Sequence, residues 1–284
     1  MSDTNKIQAQ FSKAERYAAF LITNLAKMAK CNLYPVDIKE DIPRSAVLEH
    51  TLKSIGNGDG LFLEFGVYKG GTISYVAKRF PGRHLYGFDS FEGFPDDGRS
   101  DWKQDFSVIK LPEVPANVSL TKGWFKDTLP GFLASHANHV DFLNIDCDLY
   151  SSTNDVLGAL ARSKRLKPGT VIFFDELINY KQFLWNEMLS LFETLELTGL
   201  GVRWLHIHQC VLSFEETVDL LCNQQYPEWG ENVEAGFRQQ ASLVLTDEGV
   251  DYGPLLQWPS YRKNVEHYAQ KLLSLDSTSL GKIC

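Results

Sequence analysis

The amino-terminal part of the chain repeats apolar residues at the period of a helix. Between Ile7 and Lys30 they recur every three or four positions, with Lys and Arg between them, which predicts one amphipathic helix. Pro35 and Pro43 interrupt the pattern, and a second helix is expected from Arg44 to Ile55. We interpret residues 1–58 as an N-terminal helical extension that either covers the active site or packs against a partner subunit.

From Leu61 the pattern changes to short apolar runs separated by amphipathic stretches. The runs that predict successive strands are Leu61–Phe65, His84–Phe88, Val118–Leu120, Val140–Ile145 and Thr170–Phe174. Because continuous apolar strands are buried on both faces, their alternation with helices predicts an α/β fold with a mostly parallel sheet. Val202–Phe214 and Ala241–Leu245 are further strand candidates, which would close a seven-stranded sheet as a hairpin.

Helical periodicity fills the intervals between these strands. The predicted helices run from the glycine-rich loop through Lys78, over Asp155–Lys164 and over Phe183–Leu197, whereas residues 215–240 show no clear period. The chain is thereby divided into an N-terminal helical extension at 1–58, an α/β domain at 59–250 and a C-terminal tail with a helix at 251–284.

The composition of the chain argues against nucleic acids and membranes as binding partners. The 284-residue chain carries a formal net charge of -8 and its Lys and Arg residues are scattered, so nucleic acid is not an expected partner. No run has the apolar length of a membrane span, and no signal-peptide pattern opens the chain. The five cysteines include no CxxC pair, which is typical of reduced thiols. We therefore expect a cytoplasmic protein that does not bind a membrane.

A glycine-rich loop follows the first strand of the α/β region. Gly66 allows a sharp turn off the strand, and Gly70 and Gly71 let a ligand approach the start of the next helix. The spacing differs from G-x-G-x-x-G, so a nicotinamide dinucleotide is not favoured. If the loop holds a ligand, Gly66→Val should abolish binding by filling the space beside the backbone. The alternative is a tight turn that binds nothing.

An acid ends the second strand of the region. Asp89 follows the glycine loop by roughly 20 residues, a spacing at which a carboxylate accepts the ribose hydroxyls of a nucleoside ligand. The alternative is that Asp89 caps the following turn through Ser90. Together, the loop and the acid favour a nucleoside site.

Two pairs of acids come directly after apolar strands. They are Asp146 with Asp148 and Asp175 with Glu176. Because ligands of open α/β sheets bind at the carboxyl ends of the strands, these side chains are expected to converge there, and their repulsion calls for a cation or shared protons. Oxygen ligands alone suit Mg²⁺, Mn²⁺ or Ca²⁺. The alternatives are helix capping by Asp148 and unrelated surface acids.

Four motifs in consistent order resemble one family. They are FLEFGVYKGG at 62–71, YGFDSFEGFP at 86–95, KGWFKDTLP at 122–130 and IDCDLYSST at 145–153. These runs are similar to those of the macrocin O-methyltransferase (TylF-type) family of class I S-adenosylmethionine-dependent methyltransferases. The resemblance covers roughly residues 61–180 and implies a Rossmann-like class I methyltransferase fold. It also implies S-adenosylmethionine and Mg²⁺ as cofactors and methylation of a hydroxyl on a natural-product sugar.

The resemblance also implies the roles of individual residues. Glu64, Gly66 and Gly70 should line the methionine end of the cofactor, and Asp89 its ribose. The full cofactor-binding set is Glu64, Gly66, Tyr68, Gly70, Thr72, Asp89, Ser90, Gly123, Trp124 and Asp146. Asp146, Asp175 and Glu176 match the family's metal carboxylates, although the family usually has two Asp where this chain has Asp175-Glu176.

The expected reaction is an in-line transfer of a methyl group from a sulfonium to an oxygen. A metal that chelates the acceptor would lower the pKa of its hydroxyl. Asp148 and Asp146 are the expected catalytic residues, and Asp148 is the candidate general base. The loop from Asp89 to Pro115, with Phe91, Phe94 and Trp102, is expected to fold over the substrate. A small-molecule acceptor and a homo-oligomer are the expected partners.

Two other functions remain open from the sequence. Asp146-Cys147-Asp148 is a D-x-D motif, which in a glycosyltransferase would hold a metal and a nucleotide-sugar diphosphate. No cluster of basic residues for the diphosphate is evident, whereas a methyltransferase accounts for the Glu64 loop and the second acid pair. The other alternative is a protein that binds a nucleoside cofactor without catalysis.

Overall fold

The computed structural model describes residues 3–34, 46–95, 106–208, 211–226, 239–255 and 258–275. The helices in these ranges are α1 Asp3–Gln10, α2 Lys13–Met28, α3 Ala46–Leu52, α4 Gly71–Arg79, α5 Phe125–Ser135, α6 Tyr150–Arg162, α7 Glu187–Thr198, α8 Phe214–Cys222 and α9 Pro259–Leu275. The strands are β1 Asn32–Tyr34, β2 Leu61–Phe65, β3 Leu85–Asp89, β4 Val118–Lys122, β5 Val140–Ile145, β6 Val171–Phe174, β7 Gly201–His208 and β8 Ala241–Thr246.

The strands form one sheet in the order β1-β7-β8-β6-β5-β2-β3-β4. Every neighbouring pair is parallel except β8 with β6 and β8 with β7, so β7 and β8 form the predicted antiparallel hairpin. The predicted α/β, Rossmann-like class I methyltransferase fold is confirmed. Within the described residues the sheet has the seven predicted strands and one additional short strand, β1, at its edge.

The order of the strands reverses at β2. The chain runs from β2 to β3 and β4 on one side of the sheet, and returns to β5 and β6 on the other side. In open α/β sheets a crevice forms at such a switch point, outside the carboxyl ends of the strands. Gly66, Asp89, Asp146 and Asp175 lie at these ends, after or at the last residue of β2, β3, β5 and β6.

Helices cover both faces of the sheet because its strands carry apolar side chains on both. Along β2, Leu63 and Phe65 belong to a buried cluster with α2, α6, α7 and α9, whereas Phe62 belongs to a second cluster with α3 and α4. Side chains alternate in this way along any strand. The sheet is thus the middle layer of three, and only its edges and strand ends are free to carry a site.

The N-terminal helix differs from its prediction in two respects. The predicted helix Ile7–Lys30 is two helices, because the capping box of Ser12 and Glu15 starts α2 anew. The apolar face of α2 is also buried inside its own chain: Tyr17 is 0% exposed, its ring lies 4.9 Å from that of Phe192 of α7, and α2 packs along α9. The prediction that this face covers the active site or contacts a partner subunit is therefore wrong.

The segments outside 59–250 are likewise part of one packed structure. Helix α9, within the predicted tail 251–284, shares the large buried cluster with α2 and with the sheet. Trp204 of β7 donates from its indole nitrogen to Asn24 of α2 at 3.1 Å, which ties the N-terminal region to the sheet. The extension and the tail therefore stabilise the sheet and are not appended to it.

Some helix bounds shift for local reasons. Helix α6 begins at Tyr150, five residues before the predicted start at Asp155. The predicted helix Phe183–Leu197 divides into a single 3-10 turn and α7, because Asn186 has a non-helical backbone (φ -104, ψ -122). Strand β7 ends at His208, well before Phe214, which begins α8.

Within the described ranges, the structure shows whether any helix could span a membrane and which cysteines are free. There, no helix combines the length and the apolar character needed to cross a membrane. Cys31, Cys147 and Cys222 are free cysteines, and Cys210 and Cys284 lie outside the described residues.

Candidate functional site

A cavity of about 810 Å³ opens at the switch point of the sheet. Its lining comes from the residues that follow β2, β3, β5 and β6, from the start of α5 and from the first turns of α6. The predicted site residues that line it are Gly66, Tyr68, Asp89, Ser90, Trp124, Asp146, Asp148, Asp175 and Glu176. Nine of the predicted site residues therefore share one cavity, whereas Glu64, Gly70, Thr72 and Gly123 are not among the residues that line it.

Gly66 is required by the protein chain itself. Its φ is +89°, a conformation that favours glycine, and a Cβ there would lie 1.8 Å from the carbonyl oxygen of Asp146. Gly66 lines the cavity, but the space beside it is occupied by this carbonyl. The expectation that Gly66→Val would act by filling space left for a ligand is therefore wrong. A side chain there would separate the ends of β2 and β5.

The other residues of the glycine loop hold helix α4. The Glu64 carboxylate is buried and accepts from the amide of Ile73 at 3.1 Å, in the first turn of α4. Gly70 precedes α4 with a left-handed φ of +76°, and a Cβ on it would lie 3.3 Å from Pro112 and Val114. Thr72 is buried in the same turn. These residues fix the start of α4 and do not themselves line the cavity.

Asp89 joins the two turns that border the cavity. Its Oδ2 accepts from the amides of Val67 and Tyr68 at 2.8 and 2.7 Å, and its Oδ1 accepts from the amide of Phe91 at 2.6 Å. The turn-capping alternative is thus realised, through Phe91 and not Ser90. A carboxylate has about four lone-pair sites, so these three bonds leave room for one ligand hydroxyl on Oδ1.

The turns after β3 and β4 are fixed by the Ser90 hydroxyl and by one backbone hydrogen bond. Ser90 donates from its hydroxyl to the carbonyl of Gly93 at 2.8 Å, and its Oγ accepts from the amide of Glu92. Gly123 donates from its amide to the carbonyl of Asp89 at 2.9 Å. Trp124 follows as the residue before α5 and lines the cavity.

Aromatic side chains form another wall of the cavity. Phe106 makes an edge contact with Tyr68, their ring centroids 5.5 Å apart, and lies 5.2 Å from Phe94. Of the aromatic residues expected to cover the substrate, Phe94 lines the cavity, Phe91 is only 2% exposed and belongs to the core, and Trp102 lies outside the described residues. Phe106 was not predicted, since nothing in its sequence context sets it apart.

Both acid pairs reach the cavity, as predicted. Asp146, Asp148, Asp175 and Glu176 all line it, so they are not unrelated surface acids. The residue that directly precedes α6 is Leu149, whose side chain makes no capping bond. We call residues 146–148 the acidic turn. Asp148 adopts a left-handed φ of +60° in it, which is unusual for a residue other than glycine.

The predicted metal ligands are gathered but not arranged as a closed metal centre. Among the residues that the structure describes, no group of three or more His, Cys, Asp or Glu side chains forms a metal site. One Asp175 oxygen accepts from the side-chain amide of Gln240 at 2.6 Å. The metal role of Asp146, Asp175 and Glu176 thus stays a prediction.

Comparison with known proteins bears on this region of the chain. Residues 63–177 match the family model described as a methyltransferase domain. The matched segment begins in β2 and ends just after Glu176, so it contains all the predicted site residues.

Two curated proteins are similar to part of the chain. The 8-demethyl-8-(2,3-dimethoxy-alpha-L-rhamnosyl)-tetracenomycin-C 4'-O-methyltransferase of Streptomyces olivaceus is 31% identical over 142 residues, which are 41% of this chain and 52% of that protein. The demethyldecarbamoylnovobiocin O-methyltransferase of Streptomyces niveus is 31% identical over 129 residues, 36% of this chain and 48% of that protein. The chain spans about half the length of the curated relatives it matches.

Solved structures of methyltransferases are also similar. CalS11, a calicheamicin methyltransferase, is 24% identical, with a TM-score of 0.44 over 64% of this chain and 86% of that chain. The O-methyltransferase NovP is 20% identical, with a TM-score of 0.37 over 70% of this chain and 76% of that chain.

One acidic residue near the site, Glu187, was not predicted from the sequence, and it lies outside the segment 63–177 that matches the family model. Glu187, the first residue of α7, is 0% exposed, and its Oε1 accepts from the amide of Cys147 at 3.4 Å and the hydroxyl of Thr153 at 3.3 Å. Burial raises the pKa of Glu187 well above its ordinary value, and the charges of Asp148 and Asp146 raise it further. The sequence offered only a weak signal for this residue, a single acidic residue at the start of an apolar run.

Proposed function

We propose that this chain is an S-adenosylmethionine-dependent O-methyltransferase that acts on a hydroxyl of a small molecule, with natural-product sugars as the acceptor class. The observation that carries this proposal is the shared cavity: Asp89, set to receive a nucleoside hydroxyl, and the two acid pairs face one space at the switch point of the sheet. The methyltransferase-domain match over 63–177 supports it. The names of the two curated relatives support the acceptor class and the oxygen specificity.

The cofactor would be held along the turns after β2, β3 and β4. The free position on Asp89 Oδ1 would accept a ribose hydroxyl, beside Gly66, Tyr68 and Ser90. The indole of Trp124 supplies a flat apolar face for the adenine. The sulfonium is a cation, so the aromatic ring of Tyr68 and the acids of the cavity are favourable neighbours for it. Glu64, Gly70, Thr72 and Gly123 would contribute by fixing these turns.

The transfer itself requires an oxygen nucleophile near the methyl group. A bond forms from the acceptor oxygen to the methyl carbon as the bond from sulfur to that carbon breaks, which leaves neutral S-adenosylhomocysteine. The hydroxyl proton must pass to a base, and we assign this to Asp148, with Asp146 beside it. Both line the cavity.

A divalent metal is a further part of the proposal. The side chains available are carboxylates, whose oxygens are the donors that Mg²⁺ prefers. Asp146, Asp175 and Glu176 would hold the ion. When bound, Mg²⁺ would lower the pKa of the acceptor hydroxyl and orient it.

Calorimetric titration separates this proposal from its alternatives. S-adenosylhomocysteine and UDP-glucose are each titrated into the protein with and without Mg²⁺. We expect S-adenosylhomocysteine to bind under both conditions, because its contacts are with the Asp89 side of the cavity, and UDP-glucose to bind under neither. Binding of UDP-glucose only with Mg²⁺, and none of S-adenosylhomocysteine, would instead support a D-x-D glycosyltransferase. A protein that binds S-adenosylmethionine but methylates no glycoside would be a non-catalytic binder.

A further inference from the structure

A buried carboxyl group lies directly behind the acidic turn. Glu187 enters from α7, on the face of the sheet opposite to α3 and α4, and its Oε1 accepts from the Cys147 amide and from Thr153 of α6. Its other oxygen, Oε2, is buried and has no hydrogen-bond partner among the described residues. Glu187 therefore connects two helices to the middle residue of the turn that carries Asp146 and Asp148.

This environment does not suit an ionised carboxylate. A fully buried charge with one oxygen unpaired has a desolvation cost of several kcal/mol, so such a group takes up a proton. The acids of the cavity, Asp146, Asp148 and Asp175, act in the same direction and raise the pKa of Glu187 beyond the effect of burial. A neutral acid can still accept the two observed hydrogen bonds, and it adds no further negative charge behind the cavity.

The acidic turn needs such support because its backbone is strained. The left-handed φ of Asp148 costs of order 1 kcal/mol for a residue with a side chain and persists only where its surroundings hold it. The turn is held at its start by the Asp146 amide, which donates to the carbonyl of Phe65 at 2.9 Å, and at its end by the Leu149 amide, which donates to the carbonyl of Cys147 at 2.7 Å. Between them, the Cys147 amide donates to Glu187.

We propose that Glu187 is a positioning residue: its buried side chain accepts from the Cys147 amide and thereby fixes the direction in which Asp146 and Asp148 enter the cavity. The contact of Glu187 with the acidic turn does not depend on which reaction the protein catalyses. Its consequence for catalysis rests on the proposed function, in which these two acids act on the acceptor. Glu187 itself does not line the cavity, so it acts through the turn.

Amide hydrogen exchange tests this directly in the whole protein. The exchange rate of the Cys147 amide is measured by mass spectrometry in the wild type, Glu187→Gln, Glu187→Ala and Ser190→Ala. Ser190→Ala is the matched control, since it removes a buried hydroxyl one turn further along α7 that has no hydrogen-bond partner within the described part of the chain. We expect Glu187→Ala to raise the rate by about tenfold and Glu187→Gln, which keeps an accepting oxygen and is neutral, to stay within about twofold of the wild type.

Each outcome decides for or against the proposal. Slow exchange in Glu187→Gln together with fast exchange in Glu187→Ala supports it. Equal rates in Glu187→Ala and Ser190→Ala overturn it, as does an exchange rate in Glu187→Gln as fast as in Glu187→Ala, which would mean that the ionised form is needed. If Glu187→Ala does not fold, the rate in Glu187→Gln is compared with the wild type alone. A rate within about twofold of the wild type supports the proposal, and a rate about tenfold higher overturns it. S-adenosylhomocysteine is titrated into the same wild-type sample, so a failure of the proposed function, seen as no binding, is distinguishable from a failure of the positioning role.

Discussion

Gly66 lies so close to the backbone of the acidic turn that no side chain fits between them. A Cβ would lie 1.8 Å from the Asp146 carbonyl oxygen, and the φ of +89° adds strain. We expect Gly66→Ala to lower the free energy of unfolding by about 3 kcal/mol or more, measured by urea denaturation. Gly71→Ala is the control in the same loop: it starts α4, nothing lies within 4 Å of its Cβ position, and its effect should be close to zero. Equal effects of the two variants would contradict this reading of the turn.

Substitution of Asp175 tests whether a metal ion takes part in the reaction. Asp175→Asn should lower methyl transfer from S-adenosylmethionine to a glycoside acceptor by at least about a hundredfold. The affinity for S-adenosylhomocysteine should change little, because Asp89 and Trp124 lie on the other side of the cavity. The assay uses a radiolabelled methyl group, and EDTA should lower the activity of the wild type in the same way, reversibly with Mg²⁺. Asp127→Asn, which removes an exposed acid of α5, should keep full activity. Activity that persists in EDTA would remove the metal from the mechanism.

At the scale of elements, α2 is the clearest case of a helix whose role depends on its partners. Its buried side chains contact α7, α8, α9 and β7, and Tyr17 donates from its hydroxyl to the carbonyl of Leu184. Each fully buried large apolar side chain contributes about 1.5–3 kcal/mol, and a domain has only about 5–15 kcal/mol in total. A protein without α2 should therefore not reach the native state.

Truncation checks this expectation. Deletion of residues 1–28 should abolish cooperative thermal unfolding in calorimetry, because the faces of α7 and α9 that α2 covers become exposed. Deletion of residues 1–10 is the matched control: it removes α1, which has few contacts with the rest of the chain, and should shift Tm by only a few degrees. A stable, cofactor-binding protein without residues 1–28 would restore the view of this region as an appendage.

At the scale of the whole molecule, stability depends on pH through a cluster opposite the cavity. Asp141, in β5, accepts from Arg83 at 2.9 Å, from the Gly60 amide at 2.8 Å and from His139 at 3.0 Å. Burial raises the pKa of Asp141, but the hydrogen bonds from Arg83 and Gly60 together with the charges of His139 and Arg83 lower it by more, so the net pKa lies below its ordinary value. A carboxyl whose pKa is lowered on folding contributes stability above its unfolded pKa of about 3.9, and this stability is lost as the pH falls through the folded pKa.

Asp141→Asn should therefore be destabilising at pH 7, by about 2 kcal/mol, and progressively less so as the pH falls below about 4. Urea denaturation of both proteins between pH 7 and pH 3 gives the difference directly. Asp59→Asn, at an exposed acid of the neighbouring loop, should show no such trend. A destabilisation that is constant across this range would mean that Asp141 acts by its shape and not by its charge.

The strands and the positions of the acids that follow them could be predicted from local pattern alone. Continuous apolar runs are typical of strands buried on both faces, and the helical intervals between them require parallel pairing, so the sheet and its closing hairpin could be predicted. Acids that directly follow such strands lie at one edge for the same reason, which is why Asp89, Asp146 and Asp175 were expected to share a site. Helix ends were less predictable, since single residues such as Ser12 and Asn186 decide them.

The tertiary structure decided what depends on contacts between segments far apart in the chain. The need for glycine at position 66 comes from the Asp146 carbonyl, and the covering of α2 comes from α7 and α9. Glu187 could be seen in the sequence only as an acid in an apolar run, because its role arises where α7 passes behind the acidic turn. A residue's own neighbours in sequence set its secondary structure, whereas the burial and charge of a site depend on which other segments fold against it.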